Sequence, residues 1–159
     1  VGLSLRTADD GDLDCLAEMN LGLIRDSGHR SRMTLAVLRE RFVRSRAEGG
    51  SFDIFEDATG PVGFAGWREE DTQADPSGRH VFLRQFYMVP ERRGDGTARA
   101  CFDLLARERW HPGQRVALDV LDANRRGAPS GAAWASSPIP RRLRRTCNGA
   151  VAREARAPA

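Results

Sequence analysis

Nine residues constrain this chain more than any others. Pro90-Glu91-Arg92-Arg93-Gly94-Asp95-Gly96-Thr97-Ala98 join the strongest strand pattern, residues 81–89, to a helix over residues 99–109. Glycines in such a junction let backbone N–H groups turn toward one point. The helix start adds its positive dipole end and the arginines add charge, so the unit is a seat for phosphate. It is neither a Walker loop nor a dinucleotide fingerprint, because the chain has no lysine and no full G-x-G-x-x-G. A strand feeding directly into a helix also requires a mixed layout, with a helix packed on a sheet.

The remaining pattern supplies the other elements. Leu3 to Arg6 alternates as a short strand, and Asp9, Asp10 and Asp12 then cap and charge-match a helix whose Leu13, Leu16, Ala17, Asn20, Leu21 and Ile24 recur at helical spacing. That helix ends near Gly28, and Thr34 caps a second one that stops at Gly49-Gly50. From Ser51 the period becomes two. Residues 52–56 and 62–67 form a hairpin about the turn at 57–61, residues 69–78 form a loop, and residues 115–121 a further strand. The order β-α-α-β-β-β-α-β is an α/β (α+β) fold.

With 159 residues, one domain and one core are expected. Cys15, Cys101 and Cys147 lie far apart, which excludes a C-x-x-C metal site and argues against a disulfide framework. No bound metal is expected. No apolar run reaches the length of a membrane span and no secretory leader is visible, so the expected compartment is the cytoplasm, with no membrane partner. The net charge of +3 suggests nucleic acid until it is placed along the chain. Residues 1–126 hold 19 Arg against 21 acidic residues, and residues 127–159 hold 6 Arg against one Glu, so the basicity belongs to the tail. No nucleic-acid partner is expected.

Arg93-Gly94-Asp95-Gly96-Thr97-Ala98 fits, position by position, the Gln/Arg-x-x-Gly-x-Gly/Ala motif of the GNAT family of N-acetyltransferases, at the same junction of strand and helix. The chain resembles that family in element order from Leu3 to Asn124. The resemblance implies a mixed, mostly antiparallel sheet flanked by helices, with acetyl-CoA as acyl donor. It further implies that Arg93, Gly94, Asp95, Gly96, Thr97 and Ala98 hold the pyrophosphate, that Met88 and Val89 pair with the pantetheine arm, and that Asn124 follows the fifth strand on the cofactor side. Asn20, Asp26, His29 and Arg30, with Arg84 and Gln85, resemble an acceptor-side cluster of a bacterial subgroup. The acceptor is then a small-molecule or protein amine that attacks the thioester directly in a ternary complex. Glu69 and Glu70 are the candidates for the base. The family's usual acid is a tyrosine shortly after the next strand; the only tyrosine, Tyr87, is the remaining candidate although it comes too early. A domain that binds CoA without turnover is the alternative, and a homodimer is left open.

After Asn124 the resemblance stops. Residues 127–159 are rich in Ala, Pro, Ser and Arg, show no strand alternation and read as disordered, so the family's two closing strands are expected to be missing. Read from the third base of its first codon, the codons of residues 127–136 permit Arg-Ala-Phe-Trp-Arg-Ser-Leu-Gly-Phe. The glycine is forced, since Trp134 has one codon and Ala135 begins with GC. The expectation is an acetyltransferase domain over residues 1–126 and a frameshifted tail.

Overall fold

Local chemistry sets where the elements begin and end. In the computed structural model, which describes residues 2–28, 32–73, 78–120, 142–145 and 151–156, strand β1 (Ser4–Thr7) leads to a reciprocal cap. Asp9 accepts from Gly11 N–H at 2.8 Å while Asp12 accepts from Asp9 N–H at 2.8 Å. This turns the chain into α1 (Leu13–Asp26). Thr34 Oγ1 accepts from Val37 N–H at 3.3 Å and opens α2 (Leu35–Ala47). Then follow β2 (Ser51–Asp57), β3 (Gly60–Asp71), β4 (Arg79–Met88), α3 (Thr97–Arg109), β5 (Arg115–Val120), β6 (Arg142–Arg145) and β7 (Val151–Arg156).

These strands make one sheet in the order β1-β2-β3-β4-β5-β7-β6. Only β4 and β5 run parallel; every other pairing is antiparallel. The mixed, mostly antiparallel sheet expected from the sequence is therefore present, with helices on both faces. On one face α1 and α2 bury Leu16, Met19 and Phe42 against Phe52, Ile54, Phe64 and Tyr87. On the other, α3 buries Cys101, Phe102 and Leu105 against Phe55, Val62, Val81, Leu83 and Val116. Each such side chain contributes roughly 1.5–3 kcal/mol through its removal from water.

Two boundaries differ from expectation. The β3–β4 hairpin is longer: Glu70 faces His80 and Asp71 faces Arg79 in register, and the opposite charges of Asp71 and Arg79 support pairing where a loop was expected over residues 69–78. At the far edge, β7 pairs with β5 over six residues and β6 pairs with β7, where no strand alternation is present in the sequence. The unpaired N–H and C=O groups of an edge strand can be satisfied by any extended backbone, whatever its side-chain pattern. No described helix is long and apolar enough to cross a membrane.

Asp53 ties the layers together. Its side chain is buried and accepts from Trp67 Nε1 at 2.8 Å, Arg109 Nε at 2.8 Å and Thr7 Oγ1 at 3.4 Å, so one carboxylate joins β1, β2, β3 and the end of α3. Replacing Asp53 with Ala removes the buried acceptor of all three bonds and leaves Arg109 only the 4.0 Å contact to Glu108, and urea unfolding is expected to show a loss of about 3 kcal/mol. A second network links Arg6 to Asp12 at 2.6 Å and to Glu56 at 2.9 Å. The Arg6 guanidinium holds the Asp12 carboxyl down to about 2. A depressed carboxylate stabilises the fold fully above its ordinary value and stops doing so as pH falls through its folded value. Asp12→Asn is therefore expected to lower stability near neutral pH, and the gap between variant and parent should close as pH falls from about 4 to about 2, measured by urea unfolding at each pH.

Candidate active site

The site is built around a fork in the sheet. β4 pairs with β5 only through Val81, Leu83 and the residue between them, set against Val116 to Leu118. Beyond Leu83, β4 continues to Met88 beside β3, whereas β5, paired with β7 on its other edge throughout, continues to Val120 beside β7 alone. On this side β4 is thus parted from β5 beyond Leu83. The fork between the two strands is a place where an amide-bearing chain can lie against a strand.

At the mouth of this fork lies a bulge. Gly66 pairs with Gln85 and Trp67 with Leu83, so Arg84 is an extra residue on β4. Val81 and Leu83 lie on the α3 face, and so do Phe86 and Met88. The bulge thus turns both Arg84 and Gln85 to the α1 face. There Gln85 Nε2 donates to the buried Asn20 Oδ1 at 3.0 Å, fixing the two amides against each other across α1 and β4. Arg84 is exposed.

At the far end of β4 the glycine loop has the conformation its sequence requires. Gly94 and Gly96 have φ of +83° and +89°, the left-handed region in which a Cβ is strained. Gly96 is the N-cap of α3, Asp95 accepts from Thr97 N–H at 2.9 Å, and that bond holds the Asp95 carboxyl below its ordinary value. The N–H groups of Gly94, Gly96 and Ala98 have no partner among the described residues, and they stand at the positive end of a 13-residue helix. This is a backbone anion seat.

The arginines expected to add charge there are engaged elsewhere. Arg92 pairs with Asp57 at 2.6 Å and Arg99 with Asp103 at 2.9 Å. Arg93 donates from Nε to Met88 O at 2.8 Å, pairs with Asp26 at 2.6 Å and lies 5.1 Å from the centre of the Tyr87 ring. Two positions assigned to different sides of the site, Asp26 and Arg93, are thus one ion pair that fastens the end of α1 to the glycine loop.

The candidates for proton transfer separate by face. Glu69 lies on the α3 side, accepting from Gln114 Nε2 at 3.1 Å and pairing with Arg79 at 2.9 Å. Glu70 lies on the α1 side with Arg84 and Gln85, paired with Arg68 at 2.5 Å and 3.5 Å from His80 Nε2. Its register opposite His80 puts it four residues before Arg84, roughly 13 Å along β4. Tyr87 is buried, and burial raises its pKa, so it is a neutral phenol. A Cβ placed on Gly22 would lie 2.4 Å from the Tyr87 hydroxyl, so glycine in α1 is what admits the ring. His29, Arg30 and Asn124 lie outside the described residues. No cluster of three or more His, Cys, Asp or Glu that could hold a metal occurs among the described residues.

No protein-family model matches the chain, and no curated protein does. Solved structures do. A predicted acetyltransferase from Clostridium acetobutylicum, solved with acetyl-CoA, superposes with a TM-score of 0.60 at 22% identity over 81% of this chain and 88% of its own. A GNAT-family acetyltransferase from Bacillus cereus superposes with a TM-score of 0.64 at 15% identity over 99% of this chain and 98% of its own. The fold is that of the GNAT acetyltransferases. A PaiA N-acetyltransferase from Thermoplasma acidophilum, in complex with coenzyme A, shares the GNAT fold with a TM-score of 0.63 at 12% identity over 98% and 99% of the two chains. At these identities the likeness lies in the backbone, and that is where this chain's fork and anion seat are made.

Gly96→Ala tests that seat. The substitution meets no neighbouring atom, so its cost is the left-handed φ alone, about 1–2 kcal/mol. We expect the variant to fold, to melt lower, and to lose affinity for coenzyme A in calorimetric titration.

Proposed function

We propose that this chain is an acetyl-CoA-dependent N-acetyltransferase that moves an acetyl group to a primary amine. The observation that carries the proposal is the fork, where β4 parts from β5 after Leu83 and leads straight into the backbone anion seat at residues 94–98. The fit to acetyl-CoA is chemical on both counts. A pantetheine arm carries two amides, which can lie against a strand in the fork, and a pyrophosphate matches free N–H groups at a helix start. Met88 and Val89 border the fork, and Gly94, Gly96 and Ala98 supply N–H groups. Asp95 contributes its backbone and braces the turn, since its carboxylate is already used on Thr97. Arg93 holds the loop to α1 and leaves the anion to the amides.

The donor supplies a thioester carbonyl open to attack. What the chain supplies is position and proton transfer. Asn20 and Gln85, locked together, form a polar wall on the α1 side of the fork, and Arg84 stands beside them. We assign Glu70 as the proton acceptor, acting through water because of its distance from the bulge; Glu69 faces the other way and is assigned to holding β3, β4 and the start of β5 together. Tyr87 stays protonated and is assigned as the donor to the leaving thiolate. The ion pairing of both glutamates and the packing of the Tyr87 ring favour one competing reading, a domain that binds coenzyme A without turnover. We also propose that residues from Gly127 onward are read out of frame, as the forced glycine suggests.

The test is a melting curve with and without acetyl-CoA, for this chain and for a version with the frame restored, followed by thiol release with an amine panel. A saturable rise in both chains with thiol release is the expected result. Glu70→Gln and Tyr87→Phe should each lower kcat about 100-fold while the rise in melting temperature persists. A rise without thiol release in either chain would establish the non-catalytic reading, and no rise in a well-folded restored chain would end the proposal.

A further inference from the structure

We propose that the amine acceptor also carries a carboxylate, and that Arg84 holds it; the inference rests on the acetyltransferase reading above. Arg84 is the bulge residue and the first residue of β4 past the end of the β4–β5 pairing. From Met88, where β4 meets the glycine loop, back to Arg84 is four residues, roughly 13 Å. An arm that is anchored at the loop and runs along β4 in the fork therefore ends beside Arg84, Gln85 and Asn20. The acceptor must approach from that side.

The charges facing this point leave Arg84 uncompensated. On the α1 side of the hairpin, Arg68 and Glu70 neutralise each other, with His80 beside Glu70. From α1, Asp26 is taken by Arg93 and Asp14 by Arg39, while Glu18 and Arg25 stand 200° and 140° round the helix from Asn20 at 100° per residue, roughly the opposite side. From α2, Arg46 is paired with Asp10. Among the described residues Arg84 has no ion-pair partner. It is exposed, and it neighbours the hydrogen-bonded Asn20–Gln85 amide pair on this face.

A positive side chain beside the reacting carbon raises the energy of a bare ammonium approaching it. A polyamine would meet repulsion here from the start. An amine with a carboxylate a few bonds away reverses the sign, because the guanidinium takes the carboxylate and sets the amine at a fixed distance from it. The Asn20–Gln85 pair then offers a carbonyl and an N–H to the same molecule. Amino acids, or short peptides with an acidic first residue, have this chemistry.

The experiment compares four acceptors with this chain and its frame-restored form: an α-amino acid, its amide, its decarboxylated amine and a phosphate-bearing amine. We expect kcat/KM for the acid to exceed that for the amide about 10- to 100-fold, the strength of one charge-assisted contact. Arg84→Gln should bring the ratio close to one, and Arg84→Lys should restore part of it. The acetyl-CoA melting shift reports the donor site separately in each variant. Where turnover is too slow to measure, calorimetric binding of the same four acceptors to the coenzyme A complex supplies the ratio. A parent that prefers the amide or the decarboxylated amine overturns the inference, as does a ratio unchanged in Arg84→Gln. A phosphate-bearing amine preferred over the acid overturns the carboxylate assignment. If acetyl-CoA gives no shift in the parent, it is the acetyltransferase reading that has failed, and the inference falls with it.

Discussion

The arrangement depends on β4 keeping one neighbour and releasing the other. Along its whole length β4 stays bonded to β3, but after Leu83 it separates from β5. Sheet twist favours such divergence where a parallel strand has few pairing residues, and here only three hold the two together. The bulge at Arg84 adds local twist on the same strand at the same place. Fork and bulge are thus one distortion, which parts β4 from β5 on one side and turns two polar side chains out of the core on the other.

The electrostatics of the glycine loop follow from how its arginines are used. Arg92, Arg93 and Arg99 each have a carboxylate partner, so the seat gains little from their formal charge. What remains is the set of free N–H groups and the end of α3, whose strength depends on geometry and not on counterions. That makes conformation decisive. Two glycines in the left-handed region aim the amides, and Asp95 fixes the turn through Thr97. The Arg93–Asp26 pair adds a link from the loop to α1, so the donor seat and the helix that carries Asn20 are held as one unit.

Much of this could be read from sequence because it rests on local pattern. The helix caps at Asp9 and Thr34, the glycine loop and the order of elements are set by neighbours within a few residues. The bulge is less legible: residues 81–83 and 86–89 are apolar at odd and even positions alike, so the sequence shows only that the polar pair Arg84-Gln85 interrupts the run, and no change of phase. The fate of charges could not be read. Asp53 looks like one polar residue in an alternating strand, yet three elements converge on it through partners up to 56 residues away. Glu69 and Glu70 are adjacent and alike in sequence, and strand alternation alone puts them on opposite faces. Gly22 carries no local signal either, since what requires it is the Tyr87 ring arriving from another strand.

The far edge of the sheet bears on the fork more than its sequence suggests. With three pairing residues toward β4, β5 would be weakly held if nothing lay beyond it. β7 supplies six pairs on the other side, through Asp119 and Val120, the very residues that have left β4. Because that bonding is between backbones, it can hold β5 away from β4 without any apolar pattern in residues 151–156. Side chains suited to a closing strand would add burial and a defined wall to the site; the backbone alone is enough to keep the fork from closing. An aberrant tail would therefore weaken the acceptor side of the site before the donor side, whose amides, glycines and stretch of β4 all lie between residues 84 and 98.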